Sequence, residues 1–198
     1  IQALDNGNRS RLLVVLQIWW GQKQVPPDVL EARVVSIFKK GDPNLLGNYR
    51  PISLLKMVYK LIAIILRSRL SKSLEAQILR TQFGFRAGHS TAQALFTLKR
   101  IMDGAERAGT PLHMAFLDWE KAFDRVRHDQ LLEALQRMGV HAELVEMTRA
   151  LYESPTFTVA INDTESSPRI QHRGIRQGCP LSPYLFNIFM TCLLYTSP

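Results

Sequence analysis

The chain has 198 residues, 46% of them hydrophobic and 21% charged, a globular balance that supports one sizeable core and excludes disordered and collagen-like classes. Its net charge of +8 is uneven: residues 1–100 carry 16 Lys+Arg against 5 Asp+Glu, and residues 101–198 carry 9 against 12. The basic first half suits a polyanion such as nucleic acid, and the acidic second half suits the holding of cations. Arg67 interrupts the best apolar run, Leu61 to Leu66, so no stretch reaches the ~18–20 residues of a membrane span. The first residues lack the basic-then-apolar pattern of a secretory signal. Two cysteines, Cys179 and Cys192, exclude a disulfide framework and favour a reducing compartment.

In chain order, Asn8 to Trp20 is apolar on one side and stops at Gly21, which predicts a helix with a C-terminal glycine. Val25-Pro26-Pro27 breaks it, and Arg33 to Phe38 is a β-branched strand running into the basic turn Lys39-Lys40-Gly41-Asp42-Pro43. Leu54, Val58, Leu61 and Ile65 recur at helical spacing and predict a long buried helix over 54–74, with Lys56, Lys60, Arg67 and Arg69 on its solvent face. A loop around Gly84 and Gly88 precedes Ser90-Thr91-Ala92-Gln93, a capping-box pattern that opens a helix to Gly109. Leu112 to Leu117 has the compact apolar form of a central strand, with Asp118 at its end. Leu131, Leu135 and Met138 define a helix closed by Gly139, and another runs to Tyr152. Thr156–Ile161, the Asn162-Asp163 turn and a strand near Arg169–His172 make a hairpin, and Tyr184–Met190 begins a last helix. Strands and helices interleave, so the fold class is α+β.

Three segments carry candidate chemistry. An acid that ends an apolar strand, as Asp118 does, holds a carboxylate at a sheet edge where it can bind a hard divalent cation; a strand-end aspartate can equally cap the next turn. Gly174-Ile175-Arg176-Gln177-Gly178-Cys179-Pro180-Leu181-Ser182-Pro183 is a loop that lets backbone approach a ligand while presenting Arg176 and Gln177, or else a plain turn before a helix capped by Ser182. Lys39, Lys40 and Arg50 flank a Gly/Pro/Asn-rich turn and fit a phosphate clamp or a solvated charged hairpin. No phosphate-loop, H-E-x-x-H or paired C-x-x-C pattern occurs, and Cys179 between Gly178 and Pro180 reads as a small packing residue.

In order, these pieces resemble a reverse transcriptase of the LINE-type (non-LTR) retrotransposon branch. The matching blocks are Val34–Asp42, Asn48–Leu55, Gln82–Thr91, Phe116–Asp118 through Lys121–Asp124, and Arg173–Pro183. Group II intron-type maturases differ at the Lys-Lys-Gly-Asp and Lys-Ala-Phe-Asp segments. The resemblance implies a right-hand polymerase, residues 25–191 supplying fingers and a partial palm after a helical lead-in over 1–24. It implies two-metal nucleotidyl transfer from a dNTP to a DNA primer on an RNA template, with two Mg²⁺ ions. Asp118 would be catalytic and bridge both ions, with the Trp119 carbonyl as a further metal donor. Phe123 would bar a 2′-hydroxyl, Gln177 would line the sugar, and Lys39 (or Lys40) with Arg50 would grip the triphosphate. Arg86 and the basic face of the 54–74 helix would follow the template, while Asp124 would be structural. The family implies a nuclear or cytoplasmic site, not secretion.

Ile1 in place of Met points to a frame continuing upstream, and Cys192–Pro198 resembles a translated sequencing adapter or, alternatively, is a native helix end followed by a turn. The family's second acidic block, aromatic-x-Asp-Asp, lies downstream of these motifs, so the 198-residue chain is expected to be inactive alone, incomplete at its C-terminus and of low stability through an open strand edge. A decayed or domesticated copy that only binds nucleic acid is the alternative.

Overall fold

A computed structural model describes residues 4–162 and 164–195. Helix α1 (Asn6–Gln22) begins where the Asp5 carboxylate accepts from Asn8 N at 2.8 Å. It runs past the expected stop at Gly21, and the left-handed cap is Lys23 at φ 54°. That strained backbone is held because Lys23 Nζ donates to Trp20 O at 2.7 Å and to Glu143 Oε1 at 3.0 Å. Pro27 is less a breaker than a start: with its missing N–H in the first turn it opens the short helix α2 (Pro27–Leu30).

Strands β1 (Ala32–Phe38) and β2 (Tyr49–Leu55) pair antiparallel, Ala32 opposite Leu55 and Phe38 opposite Tyr49. The sequence pattern missed β2 because Pro51 sits inside it. Pro51 is tolerated because β2 is the outer strand of the order β2-β1-β3-β4. β2 takes Leu54 and Leu55, so the next helix, α3, is Met57–Leu74 rather than 54–74. Its buried stripe is Tyr59, Ile62, Ala63, Leu66, Leu70 and Leu74. The expected stripe through Leu54, Val58, Leu61 and Ile65 is shifted, because residues 57–66 are apolar on nearly every side and leave the helical phase to tertiary packing.

Helix α4 (Thr91–Ala108) has the expected capping box, Ser90 N donating to Gln93 Oε1 at 2.8 Å, and ends at Gly109 with φ 61°. It buries no residue. Leu112–Leu117 is not a strand: no described strand pairs with it, and Phe116 and Leu117 are 78% and 81% exposed. Apolar composition suits a central strand, but a strand exists only through hydrogen bonds to a neighbour.

Helices α5 (Ala122–Arg125), α6 (His128–Arg137) and α7 (Ala142–Tyr152) follow, then β3 (Thr156–Ile161), which lies parallel to β1 with Ala32 opposite Phe157. The return of the expected hairpin is split into β4 (Thr164–Glu165) and β5 (Arg169–Ile170), both antiparallel to β3. Pro168, which cannot donate to a ladder, lies between them. Helix α8 (Ser182–Tyr195) closes the described chain and includes Cys192–Tyr195; the remainder of the adapter-like tail, Thr196–Pro198, lies outside the described residues. The core joins α3, α6, α7 and α8 around Leu66, Leu70, Leu131, Leu135, Leu151 and Leu185. Among the described residues no helix is long and apolar enough to cross a membrane. The mixed sheet and helices bear out an α+β fold.

Candidate active site

The Gly174–Gly178 loop is fastened on two sides. Toward α5, Gly174 N donates to Val126 O at 2.7 Å and Ile175 N to Phe123 O at 2.9 Å. Toward the sheet, Ser53 N of β2 donates to Gln177 O at 2.7 Å. Both glycines are required. A carbon added at Gly174 (φ +88°) would stand 3.1 Å from Asp124 Cα and O, and one at Gly178 (φ +119°) only 2.5 Å from Ser53 O. Of the two readings of this loop, the glycines serve the packed turn: they admit the protein's own backbone.

Arg176 is corrected likewise. Expected to be presented, it is 2% exposed and donates through Nη2 to Leu30 O and, at 3.3 Å, to Thr156 O, and through Nε to Gln171 Oε1 at 3.4 Å. Its guanidinium also lies 5.2 Å from the Tyr59 ring centroid. No spacing signal marks this, since the two carbonyls lie 146 and 20 residues away in sequence. Cys179 is buried, as a packing residue should be.

Gln177 does face a cleft. About 300 Å³ in volume, it is lined by Val34, Ser36, Ser53, Asp124, Phe157 and Gln177 among others. Within it Gln177 Nε2 donates to Asp124 Oδ1 at 3.2 Å. Beside it, Phe123 stacks on Phe186 at 4.9 Å between centroids and meets Phe85 edge-on at 6.0 Å, so its ring is fixed on two sides. His128, behind the loop, bonds Gly174 O through Nε2 at 2.9 Å, and burial holds its pKa below the usual 6.5.

Asp118 and Trp119 stand in a second cleft, of about 410 Å³, with Glu120, Arg125, Phe186 and Phe189. Both are exposed, and Glu120 is paired with Arg125 at 2.8 Å. Asp124 and Gln177 line the first cleft, whereas Phe123 lines neither and stacks on Phe186, which lines the second with Asp118; α5 contributes Asp124 to the first cleft and Ala122 and Arg125 to the second. Lys39, Lys40 and Arg50 are exposed at the loop end of the β1–β2 hairpin and line neither cleft. Arg86 is engaged internally: Nε meets Glu75 Oε1 at 2.9 Å and Nη1 meets Leu79 O at 2.9 Å, with the side chain 9% exposed.

The fold is a mixed sheet with packed helices that carries an exposed Asp118 segment and a glycine-clamped glutamine loop. The reverse transcriptase (RNA-dependent DNA polymerase) family matches residues 37–196, and the chain belongs to it, in the LINE-type branch its motif blocks resemble. Over 160 residues, 79% of this chain, it is 36% identical to the transposon TX1 149 kDa protein of Xenopus laevis. Over 166 residues, 80% of the chain, it is 32% identical to the RNA-directed DNA polymerase from mobile element jockey of Drosophila melanogaster. Over its full length it is 28% identical to a retrovirus-related Pol polyprotein from type-1 retrotransposable element R2 of Popillia japonica. The chain spans 12%, 18% and 28% of those three proteins.

Proposed function

We propose that this chain forms the fingers and part of the palm of an RNA-directed DNA polymerase of a non-LTR retrotransposon, which adds dNTPs to a primer 3′-hydroxyl on an RNA template. The observation that carries the reading is the convergence of Phe123, Asp124 and the Gly174–Gln177 loop beside the β1–β2 hairpin, in a chain of this family. In it, Phe123 meets the 2′ side of the incoming sugar and Gln177 lines that sugar. The fixed Phe123 ring supports this, because a steric gate must not swing aside. Lys39 and Arg50, exposed at the hairpin end, take the triphosphate, and exposed Arg67 on α3 follows template phosphates. Arg86, first expected on the template, keeps that assignment only through the loop that it braces against Glu75.

Asp118 is the catalytic carboxylate and, with the Trp119 carbonyl, the metal donor. Reverse transcriptases work with divalent ions, here proposed as two Mg²⁺. One carboxylate and one carbonyl do not make a site for them: each Mg²⁺ demands near-octahedral oxygen ligation, and two ions ~3.5–4 Å apart need several carboxylates. Among the described residues no three His, Cys, Asp or Glu side chains cluster for a metal. We therefore infer that the 198-residue chain does not polymerise by itself.

Primer extension tests the reading. The 198 residues with Mg²⁺, primer–template and dNTPs should give no product, whereas the whole reading frame recovered from the source locus should extend the primer and lose this in D118N. Extension by the 198 residues would overturn the inference of inactivity. Nucleic-acid binding without extension by the whole frame would favour a binding remnant, the reading that the basic first half supports.

A further inference from the structure

The amide of Gln177 has two orientations of nearly equal shape, and its surroundings choose one. Its Nε2 lies 3.2 Å from Asp124 Oδ1. An ionised carboxylate accepts and never donates, so a flipped amide would set two acceptors face to face. The nitrogen is turned toward Asp124, and the carbonyl oxygen Oε1 away from it. No hydrogen bond to that oxygen comes from any described residue.

The backbone that carries this amide is already fixed. Ser53 N holds Gln177 O, and Ile175 N and Gly174 N hold the strand of chain around α5. Gly174 lies so close on Asp124 that a methyl group would press on the latter's own backbone. The side-chain torsions of Gln177 are what remain free, and Asp124, half-buried at the same cleft wall, is the side chain it bonds.

We propose that Asp124 is a positioning residue: it sets the Gln177 amide so that Oε1 is offered as an acceptor to a hydroxyl of the incoming nucleotide's sugar. The proposal rests on the reading above that Gln177 lines that sugar. Asp124 itself acts through Gln177 and does not reach the reacting atoms.

Steady-state incorporation by the polymerase of the whole reading frame separates the two ideas. Q177A should raise the KM for dNTP about tenfold at nearly constant kcat, the loss expected of a hydrogen bond that discriminates bound from free substrate. D124A should do the same, D124N should fall between because asparagine can accept but no longer forbids the flip, and the double variant should be no worse than Q177A. A normal D124A beside an impaired Q177A, or additive effects in the double variant, overturns the role of Asp124 and leaves the reading of Gln177 standing. A normal Q177A overturns the sugar contact instead. In the 198-residue chain, ¹H–¹⁵N spectra supply a readout free of activity: the two Gln177 side-chain protons should be distinct, with one shifted by Asp124, and this splitting should shrink in D124A while the Ile175 and Gln177 backbone signals stay. An unchanged side-chain pair in D124A overturns the contact.

Discussion

Replacing Gly178 with alanine tests the clamp on which the cleft depends. At φ +119° an L-residue is strained by about 1–3 kcal/mol. The added methyl would also stand 2.5 Å from Ser53 O, with Ser53 C at 3.5 Å. The obstacle is backbone within a strand rather than a flexible side chain, so the loop must lift from β2. Lifting breaks the bond from Ser53 N to Gln177 O, 2.7 Å long, at a further cost of about 1 kcal/mol. The total is roughly 3 kcal/mol, which for a domain of this size lowers Tm by about 6–12 °C. Thermal unfolding followed by far-UV circular dichroism reads this directly, and urea unfolding should show a lower midpoint at unchanged slope. Gly104, inside α4 with nothing within 4 Å of the site of an added carbon, is the matched control: G104A should be neutral or stabilising by up to about 1 kcal/mol. A G178A chain melting within about 1 °C of the parent, or indistinguishable from G104A, would refute the close approach of the loop to β2.

Arg176→Met keeps length and removes the donors to Leu30 O at the end of α2, Thr156 O at the start of β3 and Gln171 Oε1; a loss of about 3 kcal/mol in urea unfolding is expected, and a neutral result would contradict the pinning role. His128 makes the stability pH-dependent. Burial is the main cause of its lowered pKa, Arg176 and His172 push the same way, and the bond to Gly174 O and the Asp129 carboxylate oppose them. Because the unfolded chain takes up the proton more readily, this contribution is complete above pH 6.5 and is lost as pH falls below it. Tm should therefore drop from pH 7 toward pH 5, less steeply in His128→Gln, and equal slopes would reject the assignment.

What could be read from sequence was local. The Ser90–Gln93 capping box and the Gly109 cap are set within a few residues, so α4 is found where expected. Periodicity failed where it was degenerate: α3 is apolar almost all round through Leu66, and tertiary packing, against α7 and under Arg176 among others, selects Tyr59 and Ile62 over Val58 and Leu61. Likewise Pro51 hides β2, since a chain read by itself does not say which strand will stand at an edge. In the site, motif blocks marked Phe123, Gln177 and both glycines. They did not indicate that Asp124 meets Gln177 across 53 residues, or that Gly178 makes room for Ser53. Those contacts are properties of the packed chain.

The same distinction explains why the two halves of the proposed active site differ in order. Phe123 and Gln177 are joined through backbone bonds between α5 and the Gly174–Gly178 loop, all supplied by described residues, so the sugar side of the cleft is preformed. Asp118 hangs on Leu112–Leu117, whose apolar side chains and backbone groups have no described strand beside them. A carboxylate can hold a metal at a fixed place only if its own backbone is fixed, which for a strand-end residue means ladder bonds along the preceding segment. The proposed nucleotide contacts and the proposed metal ligand therefore rest on separate supports. Damage to the first, as in G178A, should weaken the proposed sugar contact without moving Asp118.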